Sequence, residues 1–351
     1  ECNQRYLDIP YPNSGLICIK SPKGTGKTEA LKKLVAKAQA ENRKVLVVTH
    51  RIVLGEAICS VVEIPWIEEM KSDGDHKIEG KALGHGLCID SLHPTSQALF
   101  DPVAFEGALV IFDEVEQIFW HALHSSTCRE NRQAILSSLK TLIQTVFRSG
   151  GQILIQDADL SNISIDFLRE FAETDIKPWV AVNHWQPSEP WKVKFYDTQH
   201  VKGGTKDDPS GLLKDAVDRV NAGGKIWFSV DSQKAKCKHG SKNLEKYFQS
   251  RCPGKKILRI DAETVANPKH PAYQCAKKIN ELVAHYDIVI SSPSLATGVS
   301  VKLRGHFTAV FGIFQGAISD NEVRQSLARV REPVNRFVWC RQIAVSKVGN
   351  G

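Results

Sequence analysis

The chain has no C-x-x-C pair. Its nine cysteines stand singly, at Cys2, Cys18, Cys59, Cys88, Cys128, Cys237, Cys252, Cys275 and Cys340, and their number is odd. This gives no disulfide framework and fits the reduced thiols of a cytosolic protein. Cys237-Lys-His239 is too sparse to make a zinc site. No apolar run approaches the length of a membrane span, and no signal peptide opens the chain, so a cytoplasmic location is expected. The opening at Glu1 rather than Met reads as a segment processed or excised from something longer. Internal repeats and low-complexity tracts are also missing. Charge of one sign is in small excess: the formal net charge of +7 permits a nucleic-acid partner without demonstrating one.

What is present is ordinary globular material. Of 351 residues, 42% are hydrophobic and 24% charged, enough for a sizeable core. That length suggests roughly two domains. Short β-branched runs (Leu16–Ile19, Val45–Thr49, Leu87–Ile89, Ala108–Phe112, Ile153–Gln156) alternate with helical patterns such as Glu29–Ala40 and Asn131–Phe147. This alternation argues for a parallel sheet with helices on both faces. Composition shifts at Asn183–Pro190, which holds two prolines and no periodicity, and reads as a linker. A second alternating set follows: Val193–Tyr196, Lys225–Val230, Ile257–Ile260, Asp287–Ser291, Thr308–Phe311 and Phe337–Ala344. His200–Ser210 reads as a surface loop, and the lysine-rich Lys234–Lys246 as an exposed surface. The expected division is 1–186 and 187–351.

Three motifs carry chemistry. Ser21-Pro22-Lys23-Gly24-Thr25-Gly26-Lys27-Thr28 lies between an apolar run and a helical pattern. Glycines there let backbone N–H groups approach an anion, and the helix N-terminus adds partial positive charge. Lys27 is placed to reach the β and γ phosphates, and Thr28 to ligate Mg²⁺. The usual first glycine of such a loop is replaced by Ser21. Next, Ile111-Phe112-Asp113-Glu114-Val115-Glu116 sets two acids at a strand end, where ligands of open parallel sheets sit. Asp113 would hold Mg²⁺ and Glu114 would polarise the attacking water, while Glu116 reads as a surface acid. Last, Gln325-Ser-Leu-Ala-Arg329-Val-Arg331 places Gln325 and Arg329 as i, i+4 neighbours on an expected helix face. Arginine is suited to stabilising a transferring phosphoryl group.

Together these residues resemble the superfamily 2 helicases over nearly the whole chain. Ser21–Thr28 looks like motif I, Val47–Arg51 like motif Ia, Cys88–Leu92 like motif Ib, Asp113–Glu116 like motif II, Ser291–Ser300 like motif V and Gln325–Arg331 like motif VI. Asp157-Ala158-Asp159 stands where motif III belongs but departs from Ser-Ala-Thr. The D-E-V-E, T-H-R and Q-S-L-A-R-V-R forms look most like the origin-binding helicases of herpesviruses, and closer still to the replication proteins of cyanobacterial plasmids. In those proteins a primase-type region can accompany the helicase module.

The resemblance implies two tandem RecA-like α/β domains, each a mostly parallel sheet flanked by helices, with ATP and Mg²⁺ between them. It implies catalytic roles for Lys27, Asp113, Glu114, Gln325, Arg329 and Arg331, and leaves open which arginine is the main finger, though the departure in spacing leads to the expectation that Arg329 matters at least as much as Arg331. Nucleotide contact is expected from Ser21–Thr28, Gly298, and the N-terminal Gln4 and Tyr6; Tyr6 or Arg5 would stack on adenine and Gln4 would read its edge. Thr49, His50, Arg51, Asp90, Ser91, Ser232 and Thr297 are expected to touch single-stranded DNA, RNA not being excluded. The implied activity is an ATP-dependent DNA helicase or translocase in plasmid-type replication. Two other readings stay open: a P-loop phosphotransferase, and a nucleotide-gated nucleic-acid-binding ATPase that separates no strands.

Overall fold

Runs of β-branched residues closed off by glycine or polar residues become the strands of two sheets. The structure, a computed structural model, describes residues 1–67, 83–197, 199–201, 204–206, 208–232, 237–293, 300–318 and 320–341. It divides into Glu1–Pro187 and Ser188–Gly351.

The first unit runs β1 (Gly15–Lys20), α1 (Lys27–Ala40), β2 (Val45–Thr49), α2 (Ile52–Val62), β3 (Gly84–Cys88), β4 (Leu109–Asp113), α3 (Val115–His124), α4 (Arg132–Arg148), β5 (Gln152–Asp157), α5 (Asn162–Ala172) and β6 (Trp179–Val182). The strands form one six-stranded sheet in the order β3-β2-β4-β5-β1-β6, and every pair is parallel. All residues of β2, β4 and β5 are buried, as expected of strands covered on both faces. The helices supply the cover. In α4, for instance, Ile135, Leu139, Leu142, Ile143 and Val146 recur at helical spacing and are buried. Because the sheet is parallel, the loops leaving β1, β2, β3, β4 and β5 all emerge at one edge, and the motifs of the first half lie in those loops.

The second unit opens with β7 (Val193–Phe195) and a hairpin, β8 (Gln199–Val201) with β9 (Gly204–Lys206). It continues with α6 (Ser210–Asn221), β10 (Ile226–Val230), α7 (Ser241–Arg251), β11 (Ile257–Ile260), α8 (Ala262–Ala266), α9 (Ile279–Val283), β12 (Ile288–Ser291), β13 (Ala309–Phe314), α10 (Asp320–Leu327) and β14 (Asn335–Cys340). Its sheet has the order β11-β12-β10-β13-β14-β7, again with every pair parallel. Alternate residues feed different cores, as the two-residue period of a strand requires. Phe228, Ile290, Phe311 and Phe337 pack on one side. Trp227, Val289, Val310 and Val338 pack on the other. The two six-stranded parallel sheets flanked by helices are the expected pair of RecA-like folds.

Four local readings change. The edge strand β6 has no counterpart among the expected runs; its four residues merge into the polar stretch after it. That stretch does not begin as a linker: Asn183 is buried, and its N–H donates to the Lys20 carbonyl at 2.8 Å, prolonging the sheet edge. The expected loop at His200–Ser210 contains the β8–β9 pair. Gln325 lies on α10, but the helix ends at Leu327, and Arg329 and Arg331 are not on it. Instead Val330 bridges Val301 in parallel, with Val301 N–H bonded to Arg329 O at 2.8 Å and Arg331 N–H to Val301 O at 2.9 Å.

Gly86 in β3 marks the tightest approach of helix to sheet. A Cβ there would lie 2.2 Å from Cys59 Sγ on α2 and 2.9 Å from the buried Trp66 ring. Both neighbours are fully packed, so neither can give way cheaply. Gly86→Ala is therefore expected to destabilise the first unit by about 1–3 kcal/mol. Urea unfolding should show a lower midpoint for the variant; an unchanged midpoint would contradict this packing.

Candidate functional site

The loop after β1 is held by its own hydroxyls. Thr25 Oγ1 donates to Pro22 O at 2.7 Å, so Ser21 Oγ must be the donor in its 2.7 Å bond to Thr25 Oγ1. Asn183 Nδ2 donates to Ser21 Oγ at 3.0 Å. Ser21 thus fills the place of the missing glycine with a buried polar pin. Its own N–H is bonded to Asp157 O at 3.1 Å. Gly24 (φ 82°) and Gly26 (φ 72°) take left-handed backbone, which brings the chain into α1 with Gly26 as its N-cap. Lys27 Nζ donates to Ser21 O at 2.6 Å and to Pro22 O at 3.1 Å, folding its ammonium under the loop.

The acids stand opposite this loop. Asp113 ends β4, is buried, and accepts a 2.9 Å bond from Gln156 Nε2. Burial raises its pKa, against the opposing pull of Lys27. Glu114 takes a left-handed conformation (φ 60°) as the N-cap of α3, which turns the chain sharply after the strand. Its Oε2 is sealed from solvent and has no hydrogen-bond partner among the described residues. Burial, then Asp113, holds the Glu114 carboxyl up at about 7. Lys23 on the loop exerts a larger opposing pull on it than Lys27, its own pKa lowered by burial.

Glu116 is not a surface acid. Its Oε1 accepts the Ser161 N–H at 2.7 Å, and Ser161 is the N-cap of α5. Its own N–H donates to Asp157 Oδ2 at 3.2 Å, while Asp157 Oδ1 accepts from Asp159 N–H at 3.0 Å. The Asp-Ala-Asp loop is therefore tied to the start of α3. Asp157 is buried, and burial raises its pKa.

Asn183 reaches the N-terminal segment as well. Its Oδ1 accepts Gln4 N–H at 2.9 Å and its Nδ2 donates to Gln4 O at 2.7 Å, so one amide clamps both sides of one backbone residue. Leu7 N–H is bonded to Thr25 O at 2.9 Å. This draws Tyr6 to the loop, 3.6 Å from where a Gly26 Cβ would stand. Tyr6 is 68% exposed, with the Arg5 guanidinium 5.4 Å from its ring centre. Gln4 Oε1 accepts Asp8 N–H at 2.9 Å and so is turned to its own segment. A groove of about 530 Å³ opens here, between Tyr6, Pro10, Tyr11 and the Gly26, Glu29 and Lys33 side of α1.

The residues expected to touch nucleic acid are placed unequally. Thr49 and His50 are buried at the end of β2, and Thr49 Oγ1 donates to Arg51 O at 3.1 Å. Burial pushes the His50 imidazole down to about 3, so it is neutral at physiological pH. These two shape the loop, and Arg51, half-buried, presents more surface than either. Asp90 and Ser91 are half-buried in a single 3₁₀ turn after β3. Asp90 Oδ2 lies 4.0 Å from His121 Nε2 on α3, and the His121 and His50 ring centres are 6.2 Å apart. The sequence reading missed His121, which gathers the loops after β2 and β3 around the helix that starts at Glu114.

In the second unit, Ser232 follows β10, and its carbonyl accepts the Ser241 N–H at 3.0 Å. Gln325 is half-buried on α10. Arg329 is buried; Arg331 is exposed, and its Nε donates to Ser300 Oγ at 2.7 Å. The segment carrying both is fastened by fully buried Arg336, whose guanidinium donates to the carbonyls of Val330, Glu332 and Val334. Thr297 and Gly298 lie outside the described residues. Among the described residues no group of three or more His, Cys, Asp or Glu is placed to hold a metal ion. Thr28 and Asp113 nonetheless offer the hard oxygen donors that suit Mg²⁺, which needs few protein ligands when phosphates and waters complete its shell.

No family model matches the chain. A curated relative, an uncharacterized protein of Picosynechococcus sp., is 39% identical over 99% of this chain; the chain spans 35% of that relative's length. Among solved structures, T. fusca Cas3 with ADP has a TM-score of 0.64 at 10% identity, covering 94% of this chain and 44% of that one. The DUF1998 helicase MrfA bound to DNA has a TM-score of 0.61 at 13% identity, covering 93% and 46%. An S. cerevisiae Dbp5 variant bound to RNA and ADP BeF3 has a TM-score of 0.57 at 11% identity, covering 93% and 79%. These neighbours are superfamily 2 helicases, and at such identities the likeness is one of fold.

The Asn183 clamp has a direct test. Asn183→Ala removes the partners of the Gln4 N–H and carbonyl and the amide donor to Ser21 Oγ, which keeps its bond to Thr25. Losing such buried bonds costs on the order of 1–3 kcal/mol locally. Hydrogen exchange should quicken at Gln4 and Leu7 by about tenfold or more, with the α4 amides unchanged. Unaltered exchange at Gln4 would show that the clamp does not hold the segment.

Proposed function

We propose that this chain is an ATP-hydrolysing motor module of the superfamily 2 helicase type. It binds ATP at the loop after β1 and moves along single-stranded DNA. The observation that carries the reading is convergence: the phosphate loop, the paired acids and the loops after β2 and β3 all issue from one edge of one parallel sheet. A phosphotransferase reading leaves the second RecA-like unit and the Gln325–Arg331 segment without a role.

On this reading the backbone N–H groups of Gly24–Thr28 cradle the phosphates, and Lys27 exchanges its loop carbonyls for phosphate oxygens. The groove beside Tyr6 takes the base. Thr28 and Asp113 hold Mg²⁺, which when bound neutralises charge on the phosphates. Glu114, half-buried with its Oε2 closed off from solvent and its pKa raised to about 7 by burial, takes the proton of the attacking water. Arg331, exposed and oriented by Ser300, and Gln325 are assigned to stabilising charge on the transferring phosphoryl group. Buried Arg329 is assigned chiefly to shaping that segment, so Arg331 is the finger. The D-E-V-E, T-H-R and Q-S-L-A-R-V-R forms support a role in plasmid-type DNA replication. We further propose that a primase-type region belongs to the same polypeptide.

Turnover of ATP by the whole chain, with and without single-stranded DNA, tests the reading. Stimulation is expected, and turnover indifferent to DNA would sink the motor. Glu114→Gln should keep ATP affinity and lose on the order of 10²–10⁴ in turnover. Arg331→Ala should lose on the order of 10³ or more in kcat with ATP affinity nearly unchanged. Wild-type turnover in Arg331→Ala would remove that residue from the site.

A further inference from the structure

Helix α3 begins at the catalytic acid and ends in an unusual surface. Trp120 is 64% exposed, and the His124 ring lies on it with centroids 3.8 Å apart and planes 22° from parallel. His124 Nδ1 is also bonded to Trp120 O at 3.1 Å, so the imidazole is fixed against the indole. Arg132 secures the turn beneath, donating to Ala122 O at 3.1 Å and to Ser125 O at 2.8 Å. An exposed tryptophan alone needs no explanation. A ring pair held by stacking and one hydrogen bond, on a turn that Arg132 fastens, presents a flat π-face with part of its ordering cost already met.

Its position and charge identify the occupant. Residue 121, next on the helix, is the histidine that meets Asp90 and His50, with Arg51 close enough to lower its pKa. The helix that carries the ring pair is therefore held against the loops after β2 and β3 through His121, one position from Trp120. Arg51, Arg132 and the two histidines make the surroundings cationic or neutral. The nearby acids are engaged, Asp90 facing His121 and Glu116 bonded to Ser161 N–H. An aromatic face beside fixed cations suits a base and its phosphates better than an acidic or apolar protein surface. We propose that Trp120, backed by His124, is a stacking platform for an unpaired nucleobase of the single strand, a contact that rests on the motor reading above. Every base has a π-face, so the platform tolerates any sequence. It sits on the helix whose first residue follows Glu114, which gives a bound base a direct mechanical path to the hydrolytic carboxylate.

Stacking and phosphate contact have different signatures. Binding of fluorescein-labelled oligo-dT to the full chain is measured by anisotropy across a salt series. Trp120→Ala should weaken binding about tenfold, the scale of one lost base–aromatic stack, without changing the slope of log K against log salt. Trp120→Phe should restore most of it. Arg51→Ala should instead make the slope shallower by about 0.7, as one lost phosphate contact does. An oligonucleotide carrying 5-iododeoxyuridine should photocross-link to Trp120. Wild-type affinity in Trp120→Ala would overturn the platform while leaving the motor intact. So would a loss that Phe does not restore, or one that alters the salt slope, since either assigns Trp120 to packing or to a protein partner. A wild-type chain that binds no single strand would instead sink the nucleic-acid reading, and the platform with it.

Discussion

Parallel pairing is the constraint on which everything else depends. In each six-stranded sheet every neighbour runs the same way, so each strand's outgoing loop is delivered to the same edge. Covered on both faces, the strands must be almost wholly apolar, and chemistry is left to the residues just past each strand end. Lys20, Thr49, Cys88, Asp113 and Asp157 are the last residues of β1 to β5, and each of the first four is followed within a few positions by a residue assigned a role.

This is why the fold was legible in the sequence. Buried parallel strands read as continuous β-branched runs, and the ends of Val45–Thr49 and Ile257–Ile260 coincide with the observed strands. The phosphate loop and the Asp-Glu pair were legible for the same reason, since their spacing is local and their flanks are regular. What escaped was set by tertiary partners. Glu116 looks like a solvated acid until Ser161 N–H is found beside it. Asn183 looks like part of a proline-bearing linker, because nothing local signals the backbone it clamps. His121 carries no motif of its own.

The arginines of the second unit show how a wrong local period can hide a simple geometry. The Val301–Val330 bridge takes the chain out of the helix between the two arginines, and Arg329 is buried while Arg331 is exposed. Val330 between them is buried in the core. Arg336 then holds the alternate carbonyls on either side of Arg331, so a buried cation fixes the backbone of an exposed one.

The clamp between Gln4 and Asn183 joins residues 179 apart in the chain. On a ribosome, Ser21 and the N-terminal segment emerge long before the amide that fastens them. The loop after β1 must wait, incompletely pinned, until the last strand of its sheet has been synthesised and has closed the edge. Since closing so long a loop carries an entropic cost, the contact can form only once the intervening strands and helices have shortened the gap by folding. The order of assembly is thus written into the position of one asparagine: the loop after β1 precedes it by 162 residues and is among the last parts of its unit to be completed.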